Sequence, residues 1–131
     1  MSVQNSKLIA GYRGAVETWE CDQMKHMNVQ FYSTRASASL NHLLNAIGLS
    51  PARIRNERKS LRYQDLRIQY MAEMHVGAIM YGISGIRSLQ DGRIQAFTHL
   101  FNAANDKLSS VSELHLTYQD LDSGEVLDLP S

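Results

Sequence analysis

The sequence predicts an α+β fold in which a curved antiparallel β-sheet wraps around one long helix. Three observations carry this. The spacing of apolar residues changes once along the chain, from a helical period to a period of two. The one long helical stretch is rich in Ser and Ala, so neighbouring backbone can approach it closely. The period-two stretches hold Gly77, Gly82 and Gly85 at intervals, and strands bend or bulge most readily at glycine.

Residues 12–20, YRGAVETWE, are rich in strand formers and read as a first strand, with Glu20 at its end or facing solvent. The polar run WECDQMKHMNV, residues 19–29, reads as a loop into the helix. From Val29 the pattern is helical, with Tyr32, Ala36, Leu40, Leu43, Leu44 and Ile47 recurring at steps of three and four. Asn28 suits the N-cap, since its side-chain carbonyl can accept from an unpaired N–H of the first turn. Gly48 suits a left-handed C-terminal cap and Pro51 the stop, so the helix is predicted over 29–47. Its middle, STRASASLN, is that of a helix meant for burial; an exposed amphipathic helix would carry Lys and Glu on its outer face.

After Ser60 the alternation is strand-like. LRYQDLRIQYM and GAIMYGISGIRSL supply two strands, and RIQAFTHLF and SELHLTYQDL two more. Asp91-Gly92 between the second and third of these is a two-residue hairpin signal.

Composition narrows the function classes. A chain of 131 residues with 44% hydrophobic and 20% charged side chains fits one globular domain, 1–131. Thirteen basic and thirteen acidic residues cancel, so no global charge calls for nucleic acid. Cys21 is the one cysteine, which rules out an intrachain disulfide and favours a reducing compartment. MSVQNSKLIA lacks the apolar core of a signal peptide, and no apolar run approaches the roughly 20 residues of a membrane span. A cytoplasmic protein without membrane partners is expected.

Three segments together bring a family to view. DQMKHMNVQFY resembles the D-x-x-G-H-x-N-x-x-x-Y signature of hot-dog-fold acyl-CoA thioesterases of the 4-hydroxybenzoyl-CoA thioesterase type. YMAEMHVGAIMYGISGI resembles that family's Y-x-x-E-x-x-x-G-D segment, and LTYQDLDSGEVLDLP its closing strand and tail. The resemblance covers nearly the whole chain in the right order. It implies a hot-dog fold and a homodimer, or a tetramer of dimers, with acyl-CoA in a groove at the subunit interface.

The resemblance also gives the polar helix entrance a purpose. Thioester hydrolysis needs a nucleophile or base near the carbonyl carbon and donors aimed at the oxygen that becomes negative. A helix N-terminus offers free N–H groups and the positive end of its dipole. Asp22 matches the family's catalytic carboxylate, which attacks the thioester to form a mixed anhydride or activates a water. The backbone N–H of Val29 matches the oxyanion donor. His26 and Asn28 match H-x-N, as loop-shaping and substrate-orienting residues, and Asn28 as a plain cap remains open beside this. No cofactor is implied, coenzyme A being part of the substrate, and no metal-ligand spacing is present.

One departure stands out: Lys25 occupies the position where the family commonly has glycine, which is unfavourable if the backbone there needs a positive φ. A second hot-dog layout, with a catalytic glutamate on the central helix, is excluded because 29–47 contains no Asp or Glu. The basic run RIRNERKSLR offers Arg58 and Lys59 for the phosphates of coenzyme A, against a plain solvated connection. Tyr70, Met71 and Met74 read as core or acyl-pocket lining, and His75, His99 and His115 take no role. The rivals to a thioesterase are a hot-dog protein that binds acyl-CoA without cleaving it, and a purely structural dimer.

Overall fold

The computed structural model describes residues 8–130, so most of the leading MSVQNSKLIA segment lies outside the described residues. Five strands, β1 (Ile9–Ala15), β2 (Lys59–Tyr70), β3 (Ile79–Gln90), β4 (Arg93–Asn102) and β5 (Lys107–Asp120), form one sheet in the order β1-β3-β4-β5-β2. Every neighbouring pair is antiparallel, and each carries one register shift. The long helix α1 (Gln30–Ala46) packs on one face of the sheet, and a short helix α2 (Pro51–Asn56) follows it. Among the described residues no helix is long and apolar enough to cross a membrane.

The helix limits follow their chemistry. Asn28 Oδ1 accepts the Gln30 N–H at 3.3 Å, while its carbonyl takes the Phe31 N–H at 3.0 Å. Gly48 has φ 98°, and the Leu49 N–H reaches back to the Leu44 carbonyl at 2.8 Å, the six-to-one bond of a Schellman end. Pro51 does more than stop α1. With Ser50 Oγ accepting the Arg53 N–H at 3.2 Å, it starts α2, proline being tolerated in a first helical turn. At the tip of the β3–β4 hairpin, Asp91 and Gly92 have φ 53° and 75°, the doubly positive pattern of a type I′ turn.

The core has two parts. Leu40, Leu43, Leu44 and Ile47 of α1 meet Ile94, Ala96, Leu114, Leu116 and Tyr118 of the sheet. Each such aliphatic side chain contributes about 1.5–3 kcal/mol by leaving water. Towards the start of α1, Tyr32 joins Tyr12, Val16, Met27, Met74, Met80 and Leu100, and this cluster underlies the loop into the helix. Between the two parts runs a row of buried hydroxyls. Ser39 Oγ lies 2.9 Å from Ser84 Oγ, which lies 2.7 Å from Thr98 Oγ1. A methyl group on Gly82 would press into Ser39, so glycine is what lets α1 come this close to β3.

Two expectations are corrected. The first strand ends at Ala15, not at residue 20, and Thr18–Glu20 form a single 3-10 turn. Glu20 neither ends a strand nor faces solvent: it is 1% exposed. The reason is electrostatic. Arg35, projecting from α1, donates from Nε to Glu20 Oε2 at 3.0 Å and from Nη2 to Oε1 at 2.5 Å, and the Glu17 N–H adds a third bond at 2.9 Å. A carboxylate so satisfied can be buried.

Candidate active site

The segment between the 3-10 turn and α1 is a small hairpin of its own. Cys21 pairs with Met27, and the Asp22 N–H donates to the His26 carbonyl at 3.0 Å. Its two sides are tied down. The Asn28 N–H donates to the Glu20 carbonyl at 2.7 Å; on the other side the Met27 N–H donates to Met74 O at 2.7 Å and Val76 N–H to Lys25 O at 3.0 Å. The Glu20–Arg35 pair therefore anchors the hairpin to α1, although neither side chain lines the cleft.

Within this hairpin Asp22 closes a turn. Its Oδ1 accepts the N–H groups of Met24 at 2.9 Å and His26 at 3.2 Å, and its carbonyl accepts the Lys25 N–H at 3.0 Å. That leaves Oδ2 without a bond from any described residue. Lys25 has φ 66°, so the left-handed backbone that favours glycine is kept with a lysine in it. The departure at this position therefore costs backbone strain.

Asp22, His26, Asn28 and Val29 line one cleft of about 430 Å³ together with Met27, Tyr32, Tyr70, Met71, Ala72 and Glu73. Sequence reading thus placed four residues that the fold does bring together. No described residue accepts the Val29 N–H, which stands at the entrance of α1 as a free donor, and the Val29 side chain is 58% exposed. Tyr70 Oη donates to the Val29 carbonyl at 3.3 Å, and its ring meets Tyr32 edge-on at 5.1 Å. Tyr32 is nearly buried, and that burial pushes its phenol above the usual range, so it stays neutral. Of the residues read as core or pocket, Met74 is core, while Tyr70 and Met71 form the cleft wall.

Charge around the site is organised by distance from water. Burial alone would raise the Glu20 carboxyl, but Arg35 and the Glu17 N–H outweigh it and hold it below the ordinary value. Burial pushes the Cys21 thiol up, and the charges of Asp22 and Glu20 add to that, so Cys21 remains a thiol and not a competing nucleophile. Among the described residues no group of three or more His, Cys, Asp or Glu side chains is placed to hold a metal ion.

Arg58 and Lys59 are not in this cleft. Arg58 pairs with Asp122 at 2.5 Å and Lys59 with Asp120 at 3.8 Å, where β2 begins. Tyr70 ends the same strand, eleven residues and about 36 Å further on. Glu73 was missed by sequence reading. Its His26 Nδ1 partner lies 3.2 Å from Oε2, and the sequence signal was its place in the Y-x-x-E-x-x-x-G-D-like segment.

Comparison with known proteins bears on this arrangement. The profile of the thioesterase-like superfamily matches residues 16–131. The chain belongs to that superfamily. No curated protein matches it. Among solved structures, the hypothetical protein SAV2348 of Staphylococcus aureus, determined in complex with CoA, superposes with a TM-score of 0.87 at 18% identity, covering 99% of this chain and 81% of its own. The 1,4-dihydroxy-2-naphthoyl-CoA thioesterase Slr0204 of Synechocystis gives 0.84 at 16%, over 95% and 90%. The DHNA-CoA thioesterase of S. aureus gives 0.82 at 14%, over 89% and 78%. At such identities the shared property is the fold: this thioesterase-like chain has the hot-dog fold of those structures.

Proposed function

We propose that this protein hydrolyses an acyl-CoA thioester to a carboxylic acid and coenzyme A. The observation that carries the proposal is the meeting, in one cleft, of the Asp22 carboxylate with the unpaired Val29 N–H at the start of α1. With Oδ1 held by two backbone N–H groups, Oδ2 is presented to the acyl carbon as nucleophile, or to a water as base. The oxygen that becomes negative is received by the Val29 N–H and the positive end of the helix dipole. The chemistry uses no cofactor, since coenzyme A arrives as part of the substrate.

The acting unit is a homodimer. β2 is a twelve-residue edge strand, and beside it a groove of about 710 Å³ opens between α1 residues such as Ser37 and Asn41 and β2 residues Tyr63 to Leu66. Long open edges invite pairing with a second strand. Antiparallel pairing of two β2 edges would bring the partner's Lys59 towards the cleft at Tyr70, which is how Arg58 and Lys59 reach the phosphates of a bound coenzyme A. The composition and lone cysteine suit work in the cytoplasm.

The test is a panel of acyl-CoAs with a thiol-detecting reagent, run beside a binding measurement. Release of free coenzyme A is expected from the wild type and its loss from Asp22→Asn. Binding without release by the wild type would show a carrier, not a hydrolase. Light scattering should give twice the chain mass.

A further inference from the structure

The cleft holds a second pair of groups with no part in the chemistry so far. His26 Nδ1 lies 3.2 Å from Glu73 Oε2, and the His26 ring lies 4.5 Å from the ring of His75, inclined at 47°. Backbone pairing of His26 with His75 joins the Asp22 hairpin to the segment that follows β2, which also carries Glu73. His26 and Glu73 both line the cleft with Asp22; Asp22 is tied to His26 through the His26 N–H as well.

A carboxylate oxygen can meet a ring nitrogen of histidine only if that nitrogen carries a hydrogen. The 3.2 Å contact is an ion pair without the alignment of a hydrogen bond, and it sets the Glu73 carboxylate on the Nδ1 side of the ring. A proton on Nδ1 is favoured there, and Nε2 is left to exchange a proton with substrate or water.

We infer that Glu73 is a positioning residue that holds His26 as the proton shuttle of the hydrolysis. The inference rests on the thioesterase reading, with Asp22 as the nucleophile. In the first step Asp22 Oδ2 bonds to the acyl carbon and the carbon–sulfur bond breaks. The leaving sulfur takes a proton from Nε2 of the His26 imidazolium, which becomes neutral imidazole still protonated on Nδ1. In the second step the oxygen of a water bonds to the acyl carbon and the anhydride bond to Oδ2 breaks. The proton of that water passes to Nε2, and the starting imidazolium and free Asp22 carboxylate are restored. The titratable groups recorded against His26 are Asp22, whose carboxylate accepts its N–H, Glu73 at 3.2 Å from Nδ1, and His75, whose ring lies 4.5 Å away.

The experiment compares the wild type with Glu73→Ala, Glu73→Gln and His26→Ala. Proton shuttling by a positioned side chain is worth about 10²–10⁴-fold, so His26→Ala should lower kcat by at least about a hundredfold. Glu73→Ala should lower kcat about tenfold or more with KM for the acyl-CoA unchanged, because it removes orientation and leaves the shuttle. Glu73→Gln keeps an acceptor oxygen for the Nδ1 hydrogen and should recover most of the loss. Nitrogen-15 NMR of the His26 ring, taken on its neutral form at the alkaline end of a pH series, gives a reading independent of turnover: protonation on Nδ1 in the wild type and Glu73→Gln, and a move towards Nε2 in Glu73→Ala. An unmoved ring signal, or a moved one with kcat unchanged, overturns the inference. Absence of turnover in the wild type itself would instead remove the thioesterase reading on which it rests.

Discussion

Replacing Glu20 with Gln should be among the most damaging single changes in this fold, although it removes only one charge. The carboxylate accepts two bonds from Arg35 and one from the Glu17 N–H, and the Arg35 side chain keeps only 15% of its exposure. An amide in that place can accept from one nitrogen of Arg35 but turns its own N–H donors towards the guanidinium. Arg35 then keeps that single bond, the Tyr12 hydroxyl at 2.7 Å and the Ala15 carbonyl at 2.7 Å, with no negative charge opposite its own. Breaking a buried pair on one side costs about 3–5 kcal/mol, and the residual exposure of Arg35 puts this case near the lower end. At about 4 °C per kcal/mol for a domain of this size, Tm should fall by about 12 °C. Differential scanning calorimetry and urea unfolding of Glu20→Gln measure it. A fall of under about 4 °C would show that the pair stabilises no more than an exposed one and refute the reasoning. The pH dependence has a definite sign. Arg35 and the Glu17 N–H hold the Glu20 carboxyl below its unfolded value of 4.5, so its contribution is complete above that pH and is lost as pH falls through the lower, folded value. The wild type should lose stability over that acid window, and Glu20→Gln should lose less.

Other changes test the rest of the architecture. Asp22→Asn should abolish coenzyme A release by at least about a hundredfold while shifting Tm by only a few degrees, because an amide oxygen still accepts the Met24 and His26 N–H groups; coupled turnover and melting assays check both. Lys25→Gly relieves the strain of φ 66° and should raise stability by about 0.5–1 kcal/mol after the added freedom of the unfolded glycine is deducted, read as a higher urea midpoint. Gly82→Ala pushes a methyl group into Ser39 and should cost about 1–3 kcal/mol on the same urea scale.

What the sequence disclosed, and what it withheld, divides along the range of the interactions. The ends of α1, the Asp91-Gly92 turn and the alternation of β2 to β5 depend on neighbours a few residues apart, and all were legible. The cleft residues Asp22, His26, Asn28 and Val29 were legible because one short motif contains them. Glu20 was misplaced because its partner Arg35 lies fifteen residues away on another element, and burial of a lone glutamate is not to be expected from local pattern. Glu73 meets His26 only after β2 has been traversed. Arg58 and Lys59 looked like one basic cluster, but their side chains are matched to Asp122 and Asp120 across the sheet end, which a linear reading does not show.

Arg35 and Ser39 sit one helical turn apart on α1, and each is engaged by directional bonds, the first to Glu20 and the second to Ser84. Leucines beneath a helix resist its withdrawal but tolerate its rolling about the long axis; two polar pins in line do not. The heading of the first turn, and with it the direction in which the Val29 N–H points, is thereby locked like a key with two teeth. Loosening either tooth should blur the aim of that donor before it melts the domain.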